Sequence, residues 1–500
     1  MSETTVEVLR AYRFCLDPTE GQRRTLARYA GAARWGFNQR LGALVDGHRR
    51  YLQEVAFATY TDEVDEAGAR ALVKQRGGIP TPTLTAQSKQ LTALIADHRA
   101  RAAADPAADD AWLHTINRHA IVSGMRNADK AWSNWQASFR GQRAGARVGY
   151  PRFKKKGLAR DSFSLFHDVK KPSIRLSTYR RLRLPNIGEI RLHDSGKRLG
   201  RAIARGDALI QSVTVSRSGH RWYASVLVKQ QQEQRGPSRR QRAAGTVGVD
   251  LGVKATAALS TGEIVPNPRV KASLAARIAK TSRALARSQK GSKRRARLVA
   301  RLGRLHHLET LERARHTHAL TKRLATGWSD IAVEDLNVAG MTRSARGTVE
   351  QPGRNVRAKA GLSRAILDVA PGELRRQLDY KTSWYGSQLH VVDRWAPTSK
   401  TCSHCGWVKP KLSLAERTFH CDACDLVEDR DVNAARNIAA LAAVPTEGGD
   451  VNARGGPVPE PPPGGNGAGP SKREGHPGGH RSGAIPNPSP TTRTRSKPAA

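Results

Sequence analysis

The sequence predicts a multidomain α+β chain. Three observations carry that prediction: helical periodicity from Leu26 to about residue 147, short alternating apolar segments from about 160 to 230, and a later set of apolar strands and long helices that ends in paired cysteines. A length of 500 residues suggests roughly two to four domains, and 38% apolar residues are enough for true cores.

Residues 6–16 (VEVLRAYRFCL) alternate Val6, Val8, Tyr12, Phe14 and Leu16, which reads as a strand, with Cys15 a plain core residue. Pro18-Thr19-Glu20 then opens a helix whose apolar face runs through Leu26, Ala30, Ala33, Phe37, Leu41 and Leu44. The helical pattern continues to about 147, with a Pro-containing, Ala-rich interruption near 79–110. The stretch GYPRFKKK at 149–156 closes it with a basic knot.

From about 160 the period changes to two. SIRLSTYRRLRLP, IGEIRLH and LIQSVTVSRSGHRWYASVLVK are short runs divided by Gly, Ser and Pro. The last is a hairpin that sets Val213 and Val215 against Trp222, Ala224, Val226 and Val228 across Ser218-Gly219. A small β-barrel or sheet follows, which the first strand can join. Residues 230–243 (QQQEQRGPSRRQRA) read as a charged linker.

TVGVDLGVKATAALSTGE then gives a strand, a tight turn at Asp250-Leu251-Gly252 and a second strand. A basic helical stretch fills 268–325, WSDIAVEDLNV is another strand, and a helix spans about 361–380 after a Gly/Arg/Thr loop. SQLHVVDR is a strand before the cysteines, and DVNAARNIAALAA a final helix. Residues 443–500 have no Phe, Tyr or Trp and are dense in Gly and Pro, so they are expected to be disordered.

Charge bounds the partner. Lys+Arg outnumber Asp+Glu by 85 to 43, a formal net charge of +42. Such an excess repels itself unless a polyanion answers it, and nucleic acid is the usual one. The first residues carry no secretory apolar segment and no run is long enough to span a bilayer, and with two CxxC pairs the expected setting is a reducing cytoplasm. Between Arg269 and Arg304 lie thirteen Lys/Arg and no acid, which reads as a phosphate-tracking surface that includes Lys293, Arg294 and Arg295. Arg152, Lys154, Lys155 and Lys156 form a second candidate contact. Trp132, Trp135, Tyr150 and Phe153 interleave with basic residues and are either base-stacking platforms or core.

Three acids stand out by position. Asp250 ends the apolar strand VGVD, Glu334 ends IAVE, and Asp431 stands at the start of the last helix. Each alone is a common turn or capping residue. As an ordered set, with a β-hairpin after the first, they describe an RNase H-like α/β nuclease core. Three such carboxylates can bind two Mg²⁺ ions about 4 Å apart, one to activate water and one to stabilise a leaving phosphodiester oxygen. Asp335, Glu428 and Asp429 are near neighbours, of which Asp429 is the closest competitor.

Cys402-x2-Cys405 and Cys421-x2-Cys424 have the spacing of a zinc ribbon. Four thiolates leave the metal no open position, so this zinc is expected to be structural, with His404 and His420 as bystanders.

The segments GVDLGVKATAALSTGE, IAVEDLNVAGM, DYKTSWYG, APTSKTCSHCG and DRDVNAARNI, in that order, resemble the TnpB (OrfB) family of transposon-encoded proteins, relatives of type V CRISPR effectors. LDPTEGQRRTL and GYPRFKKKG resemble it too, so the likeness spans all but the tail. It implies an RNA-guided DNA endonuclease with Asp250, Glu334 and Asp431 as Mg²⁺-binding catalytic acids and Cys402, Cys405, Cys421 and Cys424 on zinc. It implies a β-barrel wedge domain (1–17 and 148–235) interrupted by a helical recognition domain (18–147), then the RuvC-like core (236–398 and 425–442), the zinc ribbon (399–424) and a tail (443–500). The implied partners are guide RNA from the transposon end and duplex DNA bearing a short adjacent motif, with one or two protein copies on one RNA. A transposase or strand transferase, or a non-cleaving RNA-guided regulator, are the alternative readings. The chain departs from the family at Asp425, where Gly is usual because a knuckle needs a permissive backbone.

Overall fold

The computed structural model describes residues 5–105, 112–143, 145–168, 172–233, 235–413 and 415–443. The expected disordered tail lies outside the described residues almost entirely. Within them the fold is a mixed α/β arrangement built on two main sheets.

Strand β1 (Thr5–Asp17) passes into α1 (Glu20–Thr61) through a capping box. The Thr19 hydroxyl accepts from the Gln22 N–H, and the Gln22 amide oxygen accepts from the Thr19 N–H. The helices α2 (Glu66–Gln75), α3 (Leu84–Ala104) and α4 (Arg118–Phe139) follow. The Ala-rich stretch expected to interrupt the pattern is therefore largely a helix of its own, capped by Thr83. Its Ala content favours that conformation, and the Pro residues fall outside it, Pro80 and Pro82 before its start and Pro106 after its end.

Strands β2 (Ser162–Phe166), β3 (Arg175–Thr178), β4 (Arg181–Leu184) and β5 (Gly188–Leu192), helix α5 (Lys197–Ala204), and strands β6 (Ala208–Ser218) and β7 (Arg221–Glu233) complete the first sheet. It is antiparallel in the order β2-β6-β7-β1-β5-β4-β3. The hairpin register is the expected one, with Val213 opposite Val226 and Val215 opposite Ala224. Of the barrel or sheet expected here, the structure has a seven-stranded sheet, whose end strands β2 and β3 are not paired with each other among the described residues. Its buried face (Phe14, Phe163, Ile190, Val215) shares one core with Leu26 and Tyr29 of α1 and Ile121 of α4.

The supposed linker at 230–243 is structured. It holds the end of β7 and a short helix α6 (Arg239–Ala244), set by a second capping box between Ser238 and Gln241. Gln241 is buried and its amide donates to the carbonyls of Ala325 and Tyr385.

The second sheet comprises β8 (Thr246–Asp250), β9 (Ala255–Leu259), β10 (Ile264–Pro266), β11 (Asp330–Glu334) and β12 (Gln388–Val392), in the order β10-β9-β8-β11-β12. Strands β8, β11 and β12 are parallel, and β9 and β10 antiparallel. The basic stretch between β10 and β11 is two helices, α7 (Val270–Ala286) and α8 (Lys293–Gly327), not one. After the short α9 (Val338–Met341), α10 (Val356–Val369) and α11 (Pro371–Tyr385) replace the single helix expected. Ala370, at φ 56°, and Pro371 divide them, since Pro removes the backbone donor a continuous helix needs.

A two-stranded ladder, β13 (Thr418–His420) with β14 (Val427–Asp429), leads into α12 (Arg430–Ala443). The helix begins at Arg430, one residue before the expected start at Asp431 and directly after the pairing of 427–429 with 418–420. Val247, Val249, Ile331 and Val333 face the core with Leu320, Leu324, Leu374 and Leu378 of α8 and α11. Ala332 meets Ile438 of α12 on the opposite face. Burial on both faces is why these strands read as continuous apolar runs. No described helix is long and apolar enough to cross a membrane.

A candidate carboxylate site beside a cysteine centre

Parallel pairing of β8 with β11 sets Val249 opposite Val333. One residue further, at the C-terminal ends of these neighbouring strands, come Asp250 and Glu334. Adjacent strands lie about 4.8 Å apart, so both carboxylates leave one sheet edge, the usual place for a site in a parallel sheet. Helix α12 supplies the third acid. It lies so close on β8 that a Cβ on Gly248 would fall 2.6 Å from the Ala439 nitrogen, and closer still to the Ala435 carbonyl. Asp431 is one turn before Ala435, and it is brought to the same edge.

The electrostatics record the meeting. The Asp250 carboxyl is pushed up from 3.8 to about 7, first by burial and then by the charges of Glu334 and Asp431, with Arg430 opposing and Asp429 adding a smaller push. Asp431 Oδ1 accepts from the Arg430 guanidinium at 3.1 Å, and Glu334 Oε1 accepts from the Thr398 hydroxyl at 2.6 Å. Three carboxylates with one neighbouring guanidinium are a hard-oxygen donor set short of positive charge. That fits a divalent cation such as Mg²⁺.

The neighbouring acids are occupied elsewhere. Asp335 is bound by Arg375 and Arg394, and those hydrogen bonds, Arg375's first, hold its carboxyl below the ordinary value. Asp429 Oδ1 accepts from the N–H groups of Asp431 and Val432, at 2.9 and 3.2 Å, and so caps α12. Glu428 pairs with Arg436 at 2.9 Å. The capping role open to Asp431 from the sequence is therefore taken by Asp429.

The four cysteines converge. Cys402 and Cys424 sulfurs are 3.6 Å apart, Cys405 and Cys421 sulfurs 3.5 Å, and all four lie within 4.8 Å of one another. A disulfide needs about 2.05 Å, whereas four thiolates at ~2.3 Å from one Zn²⁺ stand about 3.8 Å apart. No histidine enters the set, and among the described residues no other three or more possible ligands are gathered as closely. The two knuckles repeat each other. Gly406 N–H donates to Cys402 O and Asp425 N–H to Cys421 O, each at 3.0 Å. Gly406 has φ 80° and Asp425 φ 55°, so the acid does occupy the left-handed conformation that favours Gly. Cys15, by contrast, is a buried residue of β1.

Helix α12 also grips the cysteine module. Asn433 Nδ2 donates to Thr401 O at 2.8 Å while its Oδ1 accepts from Ser403 N–H at 2.9 Å. Asn437 Nδ2 donates to Thr398 O and Thr401 O, at 2.8 and 2.6 Å. Thr398, Asn433, Asn437 and Arg430 escape a sequence reading built on apolar period and charge. The one available signal is a pair of amides four apart on an otherwise Ala-rich, buried helix.

The basic candidates divide. Arg152, Lys155, Lys156, Lys293 and Arg294 are exposed. Lys154 lies over the Phe37 ring at 3.8 Å, with its amine lowered by burial. Arg295 caps the end of α7, donating to the carbonyls of Leu285 and Ser288. Of the aromatics, Trp132 is core with Phe37 and Leu41, whereas Tyr150 and Phe153 are about half exposed, at 44% and 51%.

Family models match three segments of the chain. They are a helix-turn-helix domain at 5–49, a "Probable transposase" model of the IS605 OrfB type at 225–345, and a Cas12f1-like TNB domain at 372–438. Residues 5–49 are here a strand and part of one long helix. A Mycobacterium tuberculosis H37Rv protein named "Putative RNA-guided DNA endonuclease" is 36% identical over 485 residues, covering 95% of this chain and 96% of the relative. Escherichia coli K12 InsQ, named likewise, is 30% identical over 454 residues, covering 91% and 97%. The cryo-EM structure of a Cas12f1–sgRNA–target DNA complex aligns at TM-score 0.40 and 14% identity, covering 87% of this chain and 99% of that one.

Proposed function

The chain belongs to the TnpB (OrfB) family, and we propose that it is a transposon-encoded, RNA-guided DNA endonuclease that hydrolyses phosphodiester bonds at Asp250, Glu334 and Asp431. The observation that carries this reading is the placing of those acids at one sheet edge, where burial first and then the charges of Glu334 and Asp431 raise the Asp250 carboxyl to about 7. The activity named for the relatives of M. tuberculosis and E. coli, each covered almost end to end, supports it.

In this reading β8 to β12, with the helices around them and residues 425–442, are an RNase H-like (RuvC) core, and residues 399–424 a zinc ribbon. The first sheet is a wedge, and α1 to α4 the helical recognition part. Asp250, Glu334 and Asp431 would hold divalent cations. When bound, Mg²⁺ supplies a water acidic enough to attack and charge to stabilise the leaving oxygen, the two-metal form being the expected one. The residues themselves do three things. The protonated fraction of Asp250 gives up its proton as cation is taken in, because burial and its neighbours raise its carboxyl to about 7. Arg430 partly balances Asp431. The exposed cations on α8 and at 152–156 attract the phosphate backbones of guide RNA and DNA, while base pairing with the guide reads most of the sequence.

The test is to co-purify the protein with RNA transcribed from its flanking DNA, sequence that RNA, and offer a matching duplex with Mg²⁺. Cutting by wild type and none by Asp250→Ala is expected. Bound RNA with DNA binding but no cutting by wild type would favour the non-cleaving regulator, and no bound RNA would remove the reading altogether.

A further inference from the structure

Thr398 is neither an acid nor a cysteine, yet its hydrogen bonds lie between the two centres. Its hydroxyl donates to Glu334 Oε1 at 2.6 Å, and its own carbonyl accepts from Asn437 Nδ2 at 2.8 Å. The same Asn437 amide reaches Thr401 O at 2.6 Å, next to Cys402, where Asn433 also holds Thr401 O and the Ser403 N–H. Thr398, Asn433 and Asn437 are 4%, 0% and 8% exposed, and the Asn437 bond to Thr398 O is buried, while the others are partly buried.

We propose that Thr398 is a positioning residue for Glu334, and that Asn437 makes this position depend on the folded first cysteine knuckle. The proposal deepens the nuclease reading of the same acids. Glu334 ends its strand, where the backbone leaves χ angles of a long side chain free. Fixing Oε1 by one hydrogen bond narrows the rotamers open to Glu334, whose charge acts on Asp250. Groups that orient a metal's ligands in this way commonly change metal affinity or activity by about 10- to 100-fold when removed. Because Asn437 belongs to the helix that carries Asp431, one element sets the third acid directly and the second through Thr398.

The test uses the full chain with its zinc retained and Mn²⁺ alone as the probe, followed by titration calorimetry and by electron paramagnetic resonance of free Mn²⁺. Thr398→Val keeps the shape and removes the donor. It is expected to weaken Mn²⁺ binding about ten-fold, and Thr398→Ser to recover most of it. Asn437→Ala should weaken binding in the same direction, and the double variant Thr398→Val/Asn437→Ala should be no weaker than Thr398→Val, since both act through one bond. Unchanged Mn²⁺ affinity in Thr398→Val overturns the proposal, as does a loss that Ser does not recover. Additive losses overturn the Asn437 link, and if Asn437→Ala does not fold the Val/Ser pair alone decides. Failure of wild type to cut DNA would instead count against the nuclease reading, because Mn²⁺ binding is measured without cleavage.

Discussion

Gly248 of β8 and Ala435 of α12 meet backbone to backbone, leaving no space for a Cβ on the strand. The contact lies two residues before Asp250 and four after Asp431, so it sets how near the helix acid comes to the strand acids. Gly248→Ala must push the helix outward. An overpacked core of this kind is destabilised by about 1–3 kcal/mol. Thermal unfolding should show that loss, and Mn²⁺ affinity should fall further than in a variant equally destabilised at a remote core position such as Val55→Ala.

The raised Asp250 carboxyl makes metal-free stability depend on pH. Its value in the folded chain is about 7 against an ordinary 3.8, so the folded state binds this proton more tightly than the unfolded one. The resulting stabilisation is complete below about pH 4 and is lost as pH rises through about 7, by an amount on the order of 4 kcal/mol. Urea unfolding from pH 5 to 8, with zinc kept and Mg²⁺ absent, should show the decline. Asp250→Asn should flatten it, and saturating Mg²⁺ should reverse it.

Asp425 is the one non-glycine at a knuckle turn with positive φ, and its partner position is Gly406. Asp425→Gly should relieve about 0.5–1 kcal/mol of backbone strain in the folded module. Competition with a zinc chelator should then release metal a few-fold more slowly than from wild type. Cys421→Ser should lose the metal and, with it, the anchoring of Thr401 to α12.

The basic run should separate by role. Lys293→Ala and Arg294→Ala should leave the melting temperature unchanged and each lower the salt dependence of nucleic-acid binding by about one unit of slope. Arg295→Ala should do the opposite, losing about 1–2 kcal/mol of stability because it strips the carbonyl cap from α7. Salt-titrated binding to a duplex, read beside thermal melts, separates the two.

How far the sequence foretells this arrangement follows from which forces write themselves into residue order. VGVD and IAVE are apolar runs ended by an acid, because a strand buried on both faces must be apolar until it leaves the sheet. The paired cysteines are legible for a similar reason, since four ligands must recur at fixed spacing. Less visible is anything set by hydrogen bonds across long separations. Gln241, Thr398 and Asn437 look like ordinary polar residues, and only the fold shows that each is buried with its partners. Capping boxes are legible locally, yet the one at Ser238 lies within so charged a stretch that composition hides it. The split of α10 from α11 was available in Ala370-Pro371, where Pro forbids the helix to continue.

Closure of β8 by α12 also has a consequence for the order of assembly. A chain made from its N-terminus presents Asp250 and Glu334 well before residue 431 exists, and parallel strands joined by long crossovers are slow to pair. Until α12 emerges, Gly248 faces no helix, Thr398 lacks its Asn437 and the acid set is one short. Any capacity to cut is thus acquired only once α12 is made, after the surfaces that can hold nucleic acid.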